Sequence, residues 1–165
     1  MLPKSHLAAL RVICRLLEGV PAWAVTGSTA LAAQGVPVQP HDIDLQTDTA
    51  GAYAIQEALT EFMVRPVAYS STGQIRSHFG AAVVARTPVE IMGDVEVRRP
   101  DGSWRPSPDL TSRLWVEAAG LRLPVLPLEH EYEAYRLLGR TDRAELLGPH
   151  LVGGASSLRR PSGES

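Results

Sequence analysis

Residues 42–47, with the sequence Asp-Ile-Asp-Leu-Gln-Thr, alternate polar and apolar side chains with a period of two. This period predicts a β-strand, because successive side chains of a strand point to opposite faces of its sheet. Ile43 and Leu45 are therefore expected to face a core. Asp42 and Asp44 share the other face, about 7 Å apart along the backbone. Two like charges on one rigid strand repel each other unless water or a cation compensates them.

The segments around this strand alternate between helical and strand patterns. Helical spacing of apolar residues predicts a first helix over 5–19, and an apolar run predicts a short strand over 23–26. The following patterns predict helices over 29–34 and about 50–62, the second capped by Asp48 or Thr49, and strands over 64–69, 74–79, 81–86 and 89–97. A proline-rich loop to residue 108, a hairpin of 113–118 with 121–126, and helices over 128–138 and up to 147 complete the chain. This order predicts an α/β fold with a mixed sheet flanked by helices.

The length of 165 residues suits one domain that buries its own core. We expect that domain to span 1–149, with C-terminal helices from about 128, and the Gly-, Ser- and Pro-containing tail 150–165 to be disordered. Cys14 is the only cysteine and has no partner for an internal disulfide, which favours a cytoplasmic location. Apolar runs fall short of the roughly 20 residues that span a bilayer, so no membrane segment is expected.

The charge composition argues against several functional classes. A net charge of −2 gives no basic excess for a dedicated nucleic-acid surface. Of the 16 basic residues 15 are Arg and only Lys4 is Lys, so the chain lacks a P-loop lysine and a core lysine for Schiff-base chemistry. No G-x-G-x-x-G sequence follows a strand, which removes the fingerprint of a dinucleotide-binding domain.

A third acid stands on a later predicted strand. Glu90 lies between two apolar residues in 89–91, so it can share a face with the first acid pair. Three carboxylates on two strands can hold two metal ions about 3.5 to 4 Å apart, as in phosphoryl and nucleotidyl transfer. Asp94 and Glu96 have the same parity and are rivals of Glu90, and Gly93 is a candidate for a bulge that would change which of them faces inward. The alternative is that all of these acids are solvated.

The segment Thr26-Gly27-Ser28 joins the strand over 23–26 to the short helix. A Gly-Ser turn lets the backbone approach a phosphate, offers N–H groups at a helix start and adds the Ser28 hydroxyl as a donor. The same turn is also a common helix cap. Arg76 and His78, on a strand after Gly73, can reach a phosphate or an acceptor, or can be ordinary surface residues.

Four polar residues lie on the helix that begins near residue 128. Glu129 and Glu133 are four positions apart, and this acid pair is most simply a solvated face. His130 and Glu131 lie between them on the same helix.

Three features follow one another along the chain: the Gly27-Ser28 turn, the acid pair that begins 14 residues after Ser28, and the single acid Glu90. This set resembles the DNA polymerase β nucleotidyltransferase superfamily, in particular its minimal nucleotidyltransferases and its aminoglycoside- and lincosamide-nucleotidyltransferase-like members. The resemblance covers about residues 22–97 and implies the nucleotidyltransferase fold.

The resemblance also implies a site. An NTP, most simply ATP, would place its triphosphate on the turn formed by Thr26, Gly27 and Ser28, with Arg76 as a further phosphate-binding candidate. One or two Mg²⁺ ions would be held by Asp42, Asp44 and Glu90. Glu90 would take the place of the third acid, which often helps to activate the attacking hydroxyl.

The leading hypothesis is a Mg²⁺-dependent nucleotidyltransferase that moves an NMP unit onto a hydroxyl of an acceptor that the sequence leaves unidentified. Two alternatives stay open. A toxin-antitoxin or regulatory module would act on a partner protein, and a catalytically inactive fold would only bind a nucleotide.

Overall fold

The computed structural model describes residues 1–151, which form five α-helices and eight β-strands. The helices are α1 (Lys4–Leu16), α2 (Gly27–Ala33), α3 (Thr49–Ala58), α4 (Leu128–Leu137) and α5 (Thr141–Leu147). The strands are β1 (Trp23–Thr26), β2 (Ile43–Thr47), β3 (Met63–Ser71), β4 (Ile75–Val84), β5 (Thr87–Arg98), β6 (Trp104–Arg105), β7 (Leu114–Ala118) and β8 (Leu121–Val125). The order of elements confirms the predicted α/β fold. Asp48 rather than Thr49 caps α3, because its carboxylate accepts from the Gly51 amide at 2.6 Å.

The strands form one mixed sheet with the order β3-β4-β5-β2-β1-β8-β7, and β6 pairs with β5. Strand β2 lies at the centre, antiparallel to β1 and parallel to β5. The chain crosses from β2 to β5 through α3 and the antiparallel strands β3 and β4. This crossover places the first acid-bearing strand directly beside the second.

The two faces of the central strands have opposite character. Ile43 and Leu45 of β2 are fully buried and pack with Ile91 of β5, Ile13 of α1 and Ile55 of α3. This packing confirms that the apolar half of the predicted period faces a core, which helices α1 and α3 cover. The polar half of β2 faces the other side of the sheet, where α4 lies.

A β-bulge in β5 changes which residues share the polar face. His78 of β4 pairs with Gly93, whereas Arg76 pairs with Glu96, so β5 contains one residue more than its partner in this interval. Asp94 lies in the extra stretch with a φ of +48°. The bulge predicted near Gly93 is therefore present, and beyond it Val95 lies on the face of Met92.

Two segments differ from the prediction by more than a few end residues. The expected separate strands 74–79 and 81–86 are one strand, β4, which continues through Gly80 and ends at Val84. Gly80 lies so close to β3 that an added Cβ would meet Val67 Cγ2 at 2.7 Å, so this glycine permits tight strand packing rather than a break. The prediction of an unbroken loop up to residue 108 is also wrong, because β6 pairs with β5 within it.

Within residues 1–151, no helix combines the length and the apolar character that a bilayer crossing requires. The predicted disordered tail falls, from residue 152 onward, outside the described residues.

Substitution of Gly93 tests the packing of α3 on the sheet. In Gly93→Ala, the added Cβ would lie 2.8 Å from both Ala52 Cβ and the Asp48 carbonyl oxygen, so α3 must move. We expect the free energy of unfolding to fall by about 1–3 kcal/mol, measured by urea denaturation. Gly19→Ala is the control, because nothing lies within 4 Å of its added Cβ. Equal stability of the two variants would contradict the proposed close contact.

Candidate active site

One row of paired residues crosses three strands of the sheet. Thr26 at the end of β1 is paired with Asp44 of β2, and Asp44 is paired with Glu90 of β5. Residues that are directly paired on neighbouring strands project to the same face. The structure thus brings together Asp44, Glu90 and the start of the Gly27-Ser28 turn, which lie far apart in sequence.

The turn is attached to the acidic segment by two hydrogen bonds. The Ser28 hydroxyl accepts from the His41 amide at 3.0 Å, and the Thr29 hydroxyl donates to the Asp42 carbonyl oxygen at 2.8 Å. Gly27 has a φ of +69°, and a Cβ at this position would collide with Asp44 Oδ2. Glycine is therefore required both for the backbone conformation and for the close approach of the carboxylate.

Asp44 is a carboxylate in an unfavourable environment. Its Oδ1 is shielded from solvent and has no hydrogen-bond partner within the described residues. Burial, the neighbouring Glu90 and, more weakly, Asp42 and Glu131 raise the pKa of Asp44 to about 8. At neutral pH the site therefore favours a proton or another cation beside Asp44.

The chemistry of these donors fits a divalent cation. All three predicted ligands offer carboxylate oxygens, which Mg²⁺ prefers, and the shielded Oδ1 of Asp44 lacks a compensating partner. Glu90 is the neighbouring acid that acts most strongly on the pKa of Asp44. No group of three or more His, Cys, Asp and Glu side chains in residues 1–151 already has a geometry suited to a metal ion. The set Asp42, Asp44 and Glu90 stays a predicted metal site.

A fourth acid, Glu131 of α4, reaches the same turn. It is only 4% exposed, and its Oε1 accepts a short hydrogen bond from the Thr26 hydroxyl and a second one, at 3.2 Å, from the Gly27 amide. Burial raises the pKa of Glu131, although the hydrogen bonds from Thr26 and Gly27 act in the opposite direction. The amide that was predicted to hold a phosphate thus already donates to a carboxylate of the chain.

Glu131 was not among the predicted site residues, although the sequence contains a signal for it. It lies at helical spacing from Leu128, Tyr135 and Leu138, on the side of α4 that faces the protein. An acid within such a stripe is buried when the helix docks, and a buried acid needs donors. Only the tertiary structure identifies those donors as Thr26 and Gly27.

The rivals of Glu90 as the third acid lie elsewhere. Asp94 Oδ2 accepts from the Thr49 amide at 2.8 Å and from the Thr49 hydroxyl at 2.5 Å, so this side chain is bound at the start of α3. Glu96 forms an ion pair with Arg76 at 2.9 Å. The bulge explains both placements, because it reverses the parity of β5 after Gly93.

The structure does not bring Arg76 or His78 to the row of Thr26, Asp44 and Glu90, which we call the acidic row. The Arg76 guanidinium pairs with Glu96 and stacks 4.1 Å above the centroid of the Trp104 ring. His78 Nδ1 lies 3.2 Å from the Tyr53 hydroxyl of α3. Both side chains lie on the face of the sheet that α3 covers, opposite to the face with Asp44. Their placement therefore gives no support to the predicted phosphate contact of Arg76.

A cavity of about 160 Å³ extends from Asp44 along the polar face of the sheet and under α4. Its floor contains Gln46 of β2 and the aliphatic side chains Met92 and Val95 of β5. Arg105 of β6 and His130 of α4 form one wall, where Arg105 donates a 3.0 Å hydrogen bond to His130 Nδ1. The cavity therefore joins the acidic row to a basic wall across apolar surface.

A comparison with known protein families identifies the family of this chain. The model of the aminoglycoside-2''-adenylyltransferase family matches residues 9–147, which include every element from β1 to α5. The chain belongs to this family. No curated protein sequence matches it.

Solved structures agree with the family at the level of the fold. A candidate nucleotidyltransferase from Thermotoga maritima is 46% identical over 89% of this chain and 92% of its own, with a TM-score of 0.80. ANT(2'')-Ia, solved in complex with adenylyl-2''-tobramycin, covers 94% of each chain at 10% identity and a TM-score of 0.61. The lincomycin-bound adenylyltransferase LnuA covers 84% of this chain and 94% of its own at 12% identity and a TM-score of 0.55.

These findings confirm the resemblance that the motifs indicated. This member of the aminoglycoside-2''-adenylyltransferase family has the nucleotidyltransferase fold, and the family together with its neighbours indicates nucleotide transfer. At 10% and 12% identity, the two antibiotic-bound structures support the fold and leave the acceptor of this chain to be proposed.

The raised pKa of Asp44 predicts a pH-dependent stability. Its ordinary pKa is 3.8, so the folded state keeps a proton up to about pH 8 that the unfolded state has lost. Stability should therefore fall as the pH rises, by up to about 1.4 kcal/mol per pH unit for one proton. Between pH 4 and 6.5 His130 acts in the opposite sense, because burial and Arg105 lower its pKa to about 4. The clear window is pH 6.5 to 8.

We expect urea denaturation in the presence of a chelator to show this decline across the window. In Asp44→Asn the free energy of unfolding should fall less steeply with pH. The fall that remains is due to Glu131, whose pKa is also raised. An unchanged slope in Asp44→Asn would contradict the assigned environment of Asp44.

Proposed function

We propose that this protein is a Mg²⁺-dependent nucleotidyltransferase that transfers an NMP unit, most simply AMP from ATP, to a hydroxyl group of a small acceptor. The observation that carries the proposal is the row formed by Thr26, Asp44 and Glu90, with the shielded and unpartnered Oδ1 of Asp44 at its centre. Family membership supports the reaction class.

The chain's own groups suggest a division of labour. Asp42 and Asp44 would hold the metal ion, which when bound neutralises the triphosphate and makes the acceptor hydroxyl more acidic. Glu90, on the neighbouring strand, would accept the proton of that hydroxyl. The Ser28 hydroxyl accepts from His41 and so keeps its own proton to donate to a phosphate oxygen.

The transfer itself balances without a further reactant. The acceptor oxygen forms a bond to the α-phosphorus, and the bond from that phosphorus to the oxygen that bridges to the β-phosphate breaks. The leaving pyrophosphate takes the electron pair, and the hydroxyl proton passes to the Glu90 carboxylate. The residues of the chain position the groups and compensate charge, and no covalent enzyme intermediate is needed.

Glu131 adds a condition to this proposal. Its carboxylate holds the Gly27 amide, so a phosphate oxygen that binds there has to displace it. The two anions cannot share one donor at low cost, because like charges at close range repel. Nucleotide binding is therefore expected to be coupled to a shift of the Glu131 side chain or of α4.

Substitution of single acids tests the proposed roles. We expect Asp42→Asn, Asp44→Asn and Glu90→Gln each to lower nucleotidyl transfer by at least about 100-fold, because the charge that holds the cation or accepts the proton is lost. Their folds should persist, as judged by circular dichroism. The assay follows label from each α-labelled NTP with Mg²⁺ into acceptors of a cell extract.

Asp94→Asn is the matched control, because it removes a carboxylate of the same strand that binds Thr49 and not the acidic row. It should keep transfer within a few-fold of the wild type. Loss of transfer in Asp94→Asn together with its retention in Glu90→Gln would overturn the assignment of the third acid. Labelling of a protein band instead of a small molecule would favour the partner-protein alternative.

A further inference from the structure

Arg105 is a cation of the cavity lining that has no ion-pair partner within residues 1–151. Its guanidinium is half-buried on the short strand β6, beside the aliphatic side chains of Val95 and Val97. Residues 1–151 contain three ion pairs, and Arg105 is in none of them. Its hydrogen bond goes to His130 Nδ1, a neutral acceptor that leaves most of the five N–H donors of a guanidinium available.

Burial also marks Arg105 as unusual. Burial lowers the pKa of Arg105 and outweighs the attraction of Glu133 and Glu131, which lie beyond ion-pair distance. The cost of a half-buried charge without a partner is recovered when an anion binds, since charge-assisted hydrogen bonds are among the strongest in proteins. A guanidinium matches the two oxygens of a carboxylate especially well.

The other residues that line the cavity indicate which further groups a ligand would carry. Between the acidic row and Arg105 lie Met92, Val95 and Val97, which offer an apolar contact surface. Gln46 presents an amide oxygen that is shielded and has no hydrogen-bond partner among the described residues, close to the acidic end. That oxygen can accept a hydrogen bond from a hydroxyl group of the ligand.

We propose that the acceptor of this protein is a small hydroxy acid: an apolar body whose hydroxyl group faces Asp44 and Glu90 and whose carboxylate is bound by Arg105. This inference rests on the proposed function and identifies its acceptor class. It separates this chain from an enzyme for aminoglycosides, whose amino groups are cationic at neutral pH. An ammonium group beside Arg105 would meet a like charge at a partly buried site.

The size of the cavity supports the same conclusion. Pockets that enclose drug-sized ligands have volumes of about 300–1,000 Å³. The cavity under α4 measures about 160 Å³, which suits one small ring or short chain with its carboxylate.

The test compares matched probes that differ in one charged group. Small hydroxy acids, such as 3-(hydroxymethyl)benzoate, are compared with the amine and the neutral methyl compound of the same skeleton. Binding to the full chain is measured by ligand-observed NMR without nucleotide, so that the result does not depend on turnover. Across the panel we expect the carboxylates to bind tightest, and Arg105→Gln to weaken their binding by about 10- to 100-fold.

Arg98→Gln is the matched control, because Arg98 is an exposed arginine of the adjacent strand outside the cavity lining. It should leave carboxylate binding unchanged, and Arg105→Glu should turn the preference toward the amines. Amines that bind the wild type as well as the carboxylates do, or carboxylate binding that survives Arg105→Gln, would overturn the proposal.

A parallel titration with Mg²⁺ and ATP separates this inference from the proposed function. Carboxylate binding that depends on Arg105, without any ATP binding, would leave an anion site and remove the nucleotidyltransferase. ATP binding that weakens in Arg105→Gln, without carboxylate binding, would assign Arg105 to the triphosphate and overturn the hydroxy-acid proposal. ATP binding that is unchanged in Arg105→Gln, together with loss of the carboxylate, is the expected result.

Discussion

The burial of the Asp44 carboxyl group beside other acids is the constraint on which the rest of the site depends. Burial, and after it the neighbouring acids Glu90, Asp42 and Glu131, raise the pKa of Asp44 to about 8. A fold keeps such an arrangement only when the rest of the molecule overdetermines it. Here a fully buried apolar face on the other side of β2 and β5 holds the two strands in register.

Helix α4 completes the site from the opposite side. Glu131 is paired with Thr26 and Gly27, and the next face of the same helix covers the cavity that begins at Asp44. Because one helix both holds the turn and covers the cavity, a movement of α4 would alter nucleotide binding and acceptor binding together. Helix α4 therefore forms part of the candidate site as well as covering the sheet.

The family and the cavity bear on different properties of this protein. Membership of the aminoglycoside-2''-adenylyltransferase family speaks to the fold and the reaction class, which depend on the row across β1, β2 and β5. The proposed acceptor site involves other residues of the cavity, among them Arg105 and His130, and its lining also contains Asp44 and Glu131. Specificity within one fold resides in such side chains, because the backbone that carries them is shared.

Much of this protein could be predicted from local sequence patterns. The period of two over 42–47 identified a strand with Asp44 on one face and a core on the other, although β2 begins at Ile43 and Asp42 precedes it. The order of helices and strands indicated the α/β fold. The Gly27-Ser28 turn and the bulge after Gly93 were also visible, since glycine marks positions where the backbone takes unusual conformations.

Other features depended on long-range pairing. Glu90, and not Asp94, is the acid that lies beside Asp44. Two long-range features decide this: the parallel register of β2 with β5, and the position of the bulge in β5. Glu131 and Arg105 joined the site only when α4 and β6 packed on the polar face. A sequence period states which residues of one element share a face, whereas the partner of that face is set by packing between elements that are distant in the chain.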